Sequence, residues 1–141
     1  MLLSSLALLS IIQCSIAILG FDQSTSVKII LMCNNQPAVG VKVKLYDDDW
    51  GPDFDDLMGE TTTDFEGRFH VSGYTDEFLT IDPKINIYHD CNDGNTPCQR
   101  RITFYIPDEY VSSGETPSIT FDFETLQLAA EFPGEERDCL H

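Results

Sequence analysis

The chain has 141 residues, and 24 acidic against 8 basic side chains give it a formal net charge of −16 at pH 7. Nucleic acid is excluded as a partner by that charge, and anionic membranes repel such a protein at long range. The length suits one domain of about 100–150 residues with a proper core, and no repeat, linker or low-complexity run divides it.

Residues 1–19, MLLSSLALLSIIQCSIAIL, carry no charge and end in the small pair Ser15 and Ala17 around Ile16. This is the pattern of a secretory signal peptide. A bilayer-spanning helix needs about 20 apolar residues, and Ser4, Ser5, Ser10, Gln13 and Ser15 dilute this run. We expect residues 1–17 to be the signal peptide, cut after Ala17, and residues 18–141 to form one secreted, extracellular domain without a transmembrane segment.

From Val27 onward the apolar residues recur with the two-residue period of strands. VKIILMC places Val27, Ile29, Leu31 and Cys33 on one face, and Asn34-Asn35-Gln36-Pro37 turns the chain. GVKVKLYD points Val41, Val43 and Leu45 inward, with Lys42, Lys44 and Tyr46 outward. After the turn Asp64-Phe65-Glu66-Gly67, where Gly67 takes positive φ, Phe69 and Val71 face in while Arg68, His70 and Ser72 face out. PKINIYHD puts Ile85, Ile87 and His89 on one face and Lys84, Asn86 and Tyr88 on the other. QRRITFYIP groups Ile102, Phe104 and Ile106, and Pro107 ends the strand because it has no N–H to donate. A turn at 108–113 leads to a last hairpin, SITFDFETLQLA, in which Ile119, Phe121 and Phe123 pack and a bend near Glu124 or Thr125 lets Leu126 and Leu128 resume. Seven or eight short strands without a convincing helix describe an all-β sandwich.

Removing the signal peptide removes Cys14 and leaves Cys33, Cys91, Cys98 and Cys139, which read as two disulfides with three possible pairings. Cys91 and Cys98 bound one short loop that Gly94 and Pro97 can turn, and Cys33 and Cys139 sit near the two ends of the domain. The expected pairing is Cys91–Cys98 with Cys33–Cys139. A zinc site using these cysteines with His89 and His141 is disfavoured, because C-x6-C fits no common zinc spacing.

Three stretches, Val39–Cys91, IDPKINIYHDCND and the closing EFPGEERDCLH, resemble the secreted transthyretin-like family of nematodes, and the resemblance runs from about Ser26 to His141. It implies a transthyretin-type, disulfide-stapled β-sandwich. It also implies a binding or adaptor role outside the cell, including the bridging of exposed phosphatidylserine to an engulfment receptor. The alternatives on the same fold are a hydroxyisourate hydrolase or a carrier of a small hydrophobic ligand. The hydrolases end in a Tyr-Arg-Gly-Ser tail that lines their site. This chain ends Arg137-Asp138-Cys139-Leu140-His141, so no catalytic residues, no enzyme activity and no cofactor are expected. The carrier would need an oligomeric channel or a widened sandwich.

Three groups remain as candidate binding residues. Lys42, Lys44, Arg100 and Arg101, half of the basic residues, would hold a phosphate or carboxylate if they converged; cross-strand pairing with Asp and Glu is the plainer expectation. The acidic run Asp47-Asp48-Asp49 followed by Asp53, Asp55 and Asp56 suits a hard cation such as calcium, with Asp47, Asp49, Asp53 and Asp55 the candidate ligands. It departs from the EF-hand pattern, and solvated charge explains it more simply. Trp50, the single tryptophan, is either a binding hot spot or an anchor for its loop against Tyr46 or Phe54. The partner expected is an extracellular protein or receptor, with anionic phospholipid as the second candidate.

Overall fold

The computed structural model describes residues 20–49 and 55–141, so the expected signal peptide, Trp50 and Asp53 lie outside the described residues. Seven strands of six or more residues carry the fold: β1 (Phe21–Cys33), β3 (Lys42–Asp47), β4 (Asp56–Thr62), β5 (Arg68–Glu77), β6 (Pro83–His89), β7 (Gln99–Tyr105) and β9 (Phe121–Gln127). Three short segments, β2 (Gln36–Pro37), β8 (Ser112–Ser113) and β10 (Glu136–Asp138), extend the sheets. A 3-10 turn at Asp108–Tyr110 is the only helical element among the described residues, and no helix there is long and apolar enough to cross a membrane.

The first sheet is built on β1. β5 and β2 pair with it antiparallel, β8 joins at Ser24↔Ser112, and β9 runs parallel to it. The second sheet is antiparallel throughout, in the order β10-β7-β6-β3-β4. Between them Val27, Ile29, Leu31, Val43, Leu45, Phe69, Val71, Ile85, Ile87, Ile102, Leu126 and Leu128 form the core, as the alternation of these residues predicts. Gly67 takes φ 78, as its turn requires. The sheets close on one side where β4 meets β5. A Cβ on Gly73 would come within 2.1 Å of the Met58 carbonyl oxygen, and one on Gly59 within 2.7 Å of that of Ser72. Only glycine at both positions lets the two backbones touch.

The structure corrects four expectations. β1 begins at Phe21, six residues early, because its polar half is satisfied internally: the Gln23 amide donates to the Leu79 carbonyl at 2.7 Å and the Thr25 hydroxyl to that of Tyr110 at 2.9 Å. β4 (Asp56–Thr62) falls in a stretch to which the apolar alternation assigns no strand. The segment around Phe121 is one strand and not a hairpin; the bend comes from Glu124 at φ 67, where the register against β1 slips between Lys28 and Ile30. Ile119, expected in the core, precedes the strand and is half exposed.

A further correction concerns the disulfides, which are Cys33–Cys91 and Cys98–Cys139 and not the expected pairs. β10 explains it. Its register sets Arg137 opposite Arg100 and Asp138 opposite Gln99, so the next residue, Cys139, arrives beside Cys98, with Cα atoms 4.4 Å apart. Cys91 is then free to meet Cys33 across the sandwich, at 5.7 Å. Both bridges stand at the same end of the molecule.

Candidate functional site

The four expected cationic side chains do not converge. The register of β3, β6 and β7 places Lys42, Tyr88 and Arg101 in one row on the outer face of the second sheet, with Lys44 one step further along. Arg100 points the other way, on the face of Ile102 and Phe104, and reaches into the stapled end. Its guanidinium donates to the carbonyls of Cys91 (2.9 Å), Leu128 (3.1 Å) and Ala130 (2.7 Å) and is clasped by Glu135. The Arg100 hydrogen bond holds the Glu135 carboxyl below its ordinary range. Arg101 pairs with Asp138 at 2.9 Å and with Glu136. Lys42 lies 4.0 Å from Glu60 and donates to the His141 backbone oxygen at 3.3 Å. Lys44 has no carboxylate partner among the described residues; its Nζ stands 5.9 Å from the Tyr88 ring. His141 lies over that ring, with centroids 4.0 Å apart, which buries Tyr88 although it faces outward.

The opposite end is crowded with carboxylates. Lys84 serves Asp48 at 3.3 Å and Asp55 at 2.7 Å, and the Tyr105 hydroxyl donates to Asp48 at 2.6 Å. Oxygens of Asp47, Asp49, Asp56 and Glu77 lie within 4.8 Å of one another, a spacing at which single carboxylate oxygens can share a hard cation. Asp47 and Asp49 are thus together as the sequence suggests. Asp55 is turned away to Lys84, and Asp56 and Glu77 stand in the cluster instead. Glu77 ends β5, far along the chain, and nothing in the acidic run announces it. Asp47 is 3% exposed and accepts one hydrogen bond, from the Asp82 N–H at 2.9 Å. Burial, then the neighbouring carboxylates, raise the pKa of Asp47, Asp49, Glu77 and Asp82.

The three histidines stand apart from one another. His70 lies on the outer face of the first sheet with Nε2 2.5 Å from the Ser26 hydroxyl, which also accepts from Thr120 at 3.0 Å. No spacing in the sequence announces this pair; the register that sets Lys28 opposite His70 creates it. As a nucleophile and base it is incomplete. Ser26 is buried, and no carboxylate bonds to His70 among the described residues, whereas the triad logic needs an orienting group. His89 is 2% exposed and its Nδ1 accepts from the Cys91 N–H at 3.0 Å, so Nε2 carries the proton. Burial and the Arg100 charge lower its pKa to about 4. His141 stacks outside on Tyr88.

Residues 30–107 match the model of the transthyretin-like family. Transthyretin-like protein 33 of Caenorhabditis elegans is 58% identical over 121 residues, covering 86% of this chain and 85% of that protein. Transthyretin-like protein 5 of the same organism is 54% identical over 134 residues, covering 95% and 96%. Among solved structures, sea bream transthyretin in complex with thyroxine aligns with a TM-score of 0.37 and 16% identity, covering 82% of this chain and 97% of that one. An (S)-allantoin synthase aligns with a TM-score of 0.44 and 15% identity, covering 85% and 44%. By its family match and its near relatives, this all-β, disulfide-stapled chain belongs to the transthyretin-like family.

Proposed function

We propose that the protein acts outside the cell as a non-catalytic recognition module, contacting an extracellular protein or cell-surface receptor through its loops and an exposed sheet face. The observation that carries this reading is the unequal treatment of the two ends. Two disulfides and the Arg100 clasp fix one end, while the loop after β5 holds Phe78 and Leu79 out in water. Large exposed apolar side chains on a braced scaffold suit partner binding. Both disulfides are at home in an oxidising compartment, which supports secretion and the expected signal peptide. The curated relatives are named as transthyretin-like proteins rather than as enzymes, and the scattered histidines favour binding over catalysis.

In its finer form the reading includes the bridging of exposed phosphatidylserine to an engulfment receptor. Lys42, Lys44 and Arg101, in neighbouring rows of one sheet face, are the side chains that would meet the headgroup. The test uses full-length chain secreted from cultured cells. Its intact mass should begin at Ile18 and fall short of the reduced value by the hydrogens lost in two disulfides. Vesicles with and without phosphatidylserine are then compared. Retention that disappears in a Lys42→Glu, Lys44→Glu double variant supports lipid bridging. Indifference to phosphatidylserine together with saturable binding to cells leaves recognition of a protein and removes the lipid. Hydrolysis of 5-hydroxyisourate above background, or absence of the protein from the medium, would overturn the proposal.

A further inference from the structure

Phe78 and Leu79, 60% and 81% exposed, are the one pair of adjacent exposed large apolar side chains among the described residues, and they are not exposed through slackness. The backbone under them is braced on both sides. The buried Gln23 side chain donates to the Leu79 carbonyl at 2.7 Å and accepts from the Ile81 N–H at 2.9 Å. Asp47 accepts from the Asp82 N–H, and Asp48 N–H donates to the Asp82 carbonyl at 3.0 Å. Ile81 is buried, so the loop already has its anchor and Phe78 and Leu79 are left over. An apolar pair pre-set in this way loses little conformational freedom when something covers it.

The surroundings state what can cover it. Asp47, Asp49, Glu77 and Asp82 line the same cleft as Phe78 and Leu79. None of these carboxylates, nor Asp56 beside them, has a cationic partner among the described residues, whereas seven of the eight Lys and Arg are in ion pairs, and Lys84, the cation of this end, is shared by Asp48 and Asp55. Burial and mutual repulsion already disfavour the charged forms of Asp47, Asp49, Glu77 and Asp82, so a cation arriving here relieves a cost instead of breaking an existing pair. We infer that this end, with Phe78 and Leu79 at its centre, docks a cationic segment of a protein partner in which an apolar side chain stands next to Lys or Arg. The inference rests on the recognition reading above and names the chemistry of its partner. It assigns to this end the opposite charge from the headgroup considered for the Lys42 face.

The test titrates full-length secreted protein against a labelled peptide of alternating Arg and Leu, with an Arg–Gly peptide and a Glu–Leu peptide as controls. The Arg–Leu peptide should bind most tightly, and more weakly as salt is raised. Leu79→Ser and Phe78→Ser, which remove exposed side chains and should not move the melting temperature, are expected to weaken binding about tenfold each. Asp49→Asn with Glu77→Gln should weaken it comparably and flatten its salt dependence. Glu66→Gln and Asp122→Asn, distant from this end, should change nothing. Equal weakening by the distant pair would reduce the effect to net charge and overturn the inference, as would indifference to Leu79→Ser. Tight binding of calcium chloride in calorimetry, with the Arg–Leu peptide bound no better than Arg–Gly, would reassign the carboxylates to a metal ion. Cross-links from a captured extracellular partner that map to the disulfide end would leave the recognition reading standing and remove this docking surface.

Discussion

At the disulfide end, charge is matched; at the other end it is not. Arg100 meets Glu135, Arg101 meets Glu136 and Asp138, and Arg137 meets Asp93, and the Cys33–Cys91 and Cys98–Cys139 bridges close around them. Across the sandwich, Asp47, Asp49, Asp56 and Glu77 face each other with only Lys84 nearby. One sequence thus builds a rigid base and an electrostatically frustrated tip. The net charge of −16 is therefore not spread as a uniform solubilising coat. Charge has been neutralised where the chain is stapled and left uncompensated beside Phe78 and Leu79.

The largest way to break this contrast is to unmatch the matched end. Arg100→Met should strand the Glu135 carboxylate and the carbonyls of Cys91, Leu128 and Ala130 in a largely buried site. Removing one partner of a buried pair costs about 3–5 kcal/mol, to be read as a fall in the denaturant midpoint at constant slope. Lys84→Met at the tip also unpairs two carboxylates, but these reach solvent more freely, and the loss should be smaller, about 1 kcal/mol. Equal losses at the two ends would dissolve the distinction.

The next effect is on pH, and the ends should respond in opposite directions. His89 has its pKa lowered from 6.5 to about 4. As pH falls below 6.5 the unfolded chain takes a proton that the folded protein refuses, so stability is lost from 6.5 down to about 4 and levels off below. The full loss is on the order of 3 kcal/mol. At the tip the raised pKa values of Asp47, Asp49 and Glu77 act the other way. Their repulsion is present at neutral pH and relieved as pH falls through the folded values toward the ordinary carboxylate range, so stability is gained. A His89→Phe variant should therefore show stability rising on mild acidification, while Asp49→Asn with Glu77→Gln should show a steeper fall than the parent. Chemical denaturation at stepped pH measures both, and parallel curves for the two variants would refute the assignment.

How far the sequence disclosed these ends depends on where the information lay. Alternation disclosed the core, because Val43, Leu45, Ile85, Ile87 and Ile102 each answer to neighbours two residues away. It also held the clue to Arg100, which shares the parity of Ile102 and Phe104 and so had to point inward. Grouping it with Arg101 as a patch ignored that parity. β10, three polar residues long, has no pattern of its own and is defined by its pairing with β7, and the disulfide pairing was lost with it. β4 carries Gly59 and an exposed Leu57, so it exists by virtue of pairing with β3. At the tip, the Asp47 run was legible, but Glu77, Phe78 and Leu79 come from the end of β5. They join it only because the chain is held there by Gln23, a polar residue in the half of β1 that looked least like a strand.

The smallest effect separates screened repulsion from screened attraction. At the tip the carboxylates repel, so added salt should stabilise; at the base the ion pairs attract, so salt should weaken them slightly, and the largely buried Arg100–Glu135 pair least of all. Exposed charges separated by more than about 10 Å are already screened at 0.1 M salt. The response should therefore come chiefly from close carboxylates such as Asp49, Asp56 and Glu77. Raising sodium chloride from low to moderate concentration at neutral pH should stabilise the parent by about 1 kcal/mol or less, read from the denaturation midpoint in urea, which adds no ions of its own. In Asp49→Asn with Glu77→Gln most of that gain should vanish, because the repulsion it screens has been removed chemically. The exposed Lys28–Asp122 pair supplies the control. Its loss in Lys28→Ala should leave the salt response nearly unchanged, since exposed pairs contribute between about 0 and 1 kcal/mol. A salt response that survives the double neutralisation intact would place the unbalanced charge elsewhere on the surface and leave the tip no more frustrated than the base.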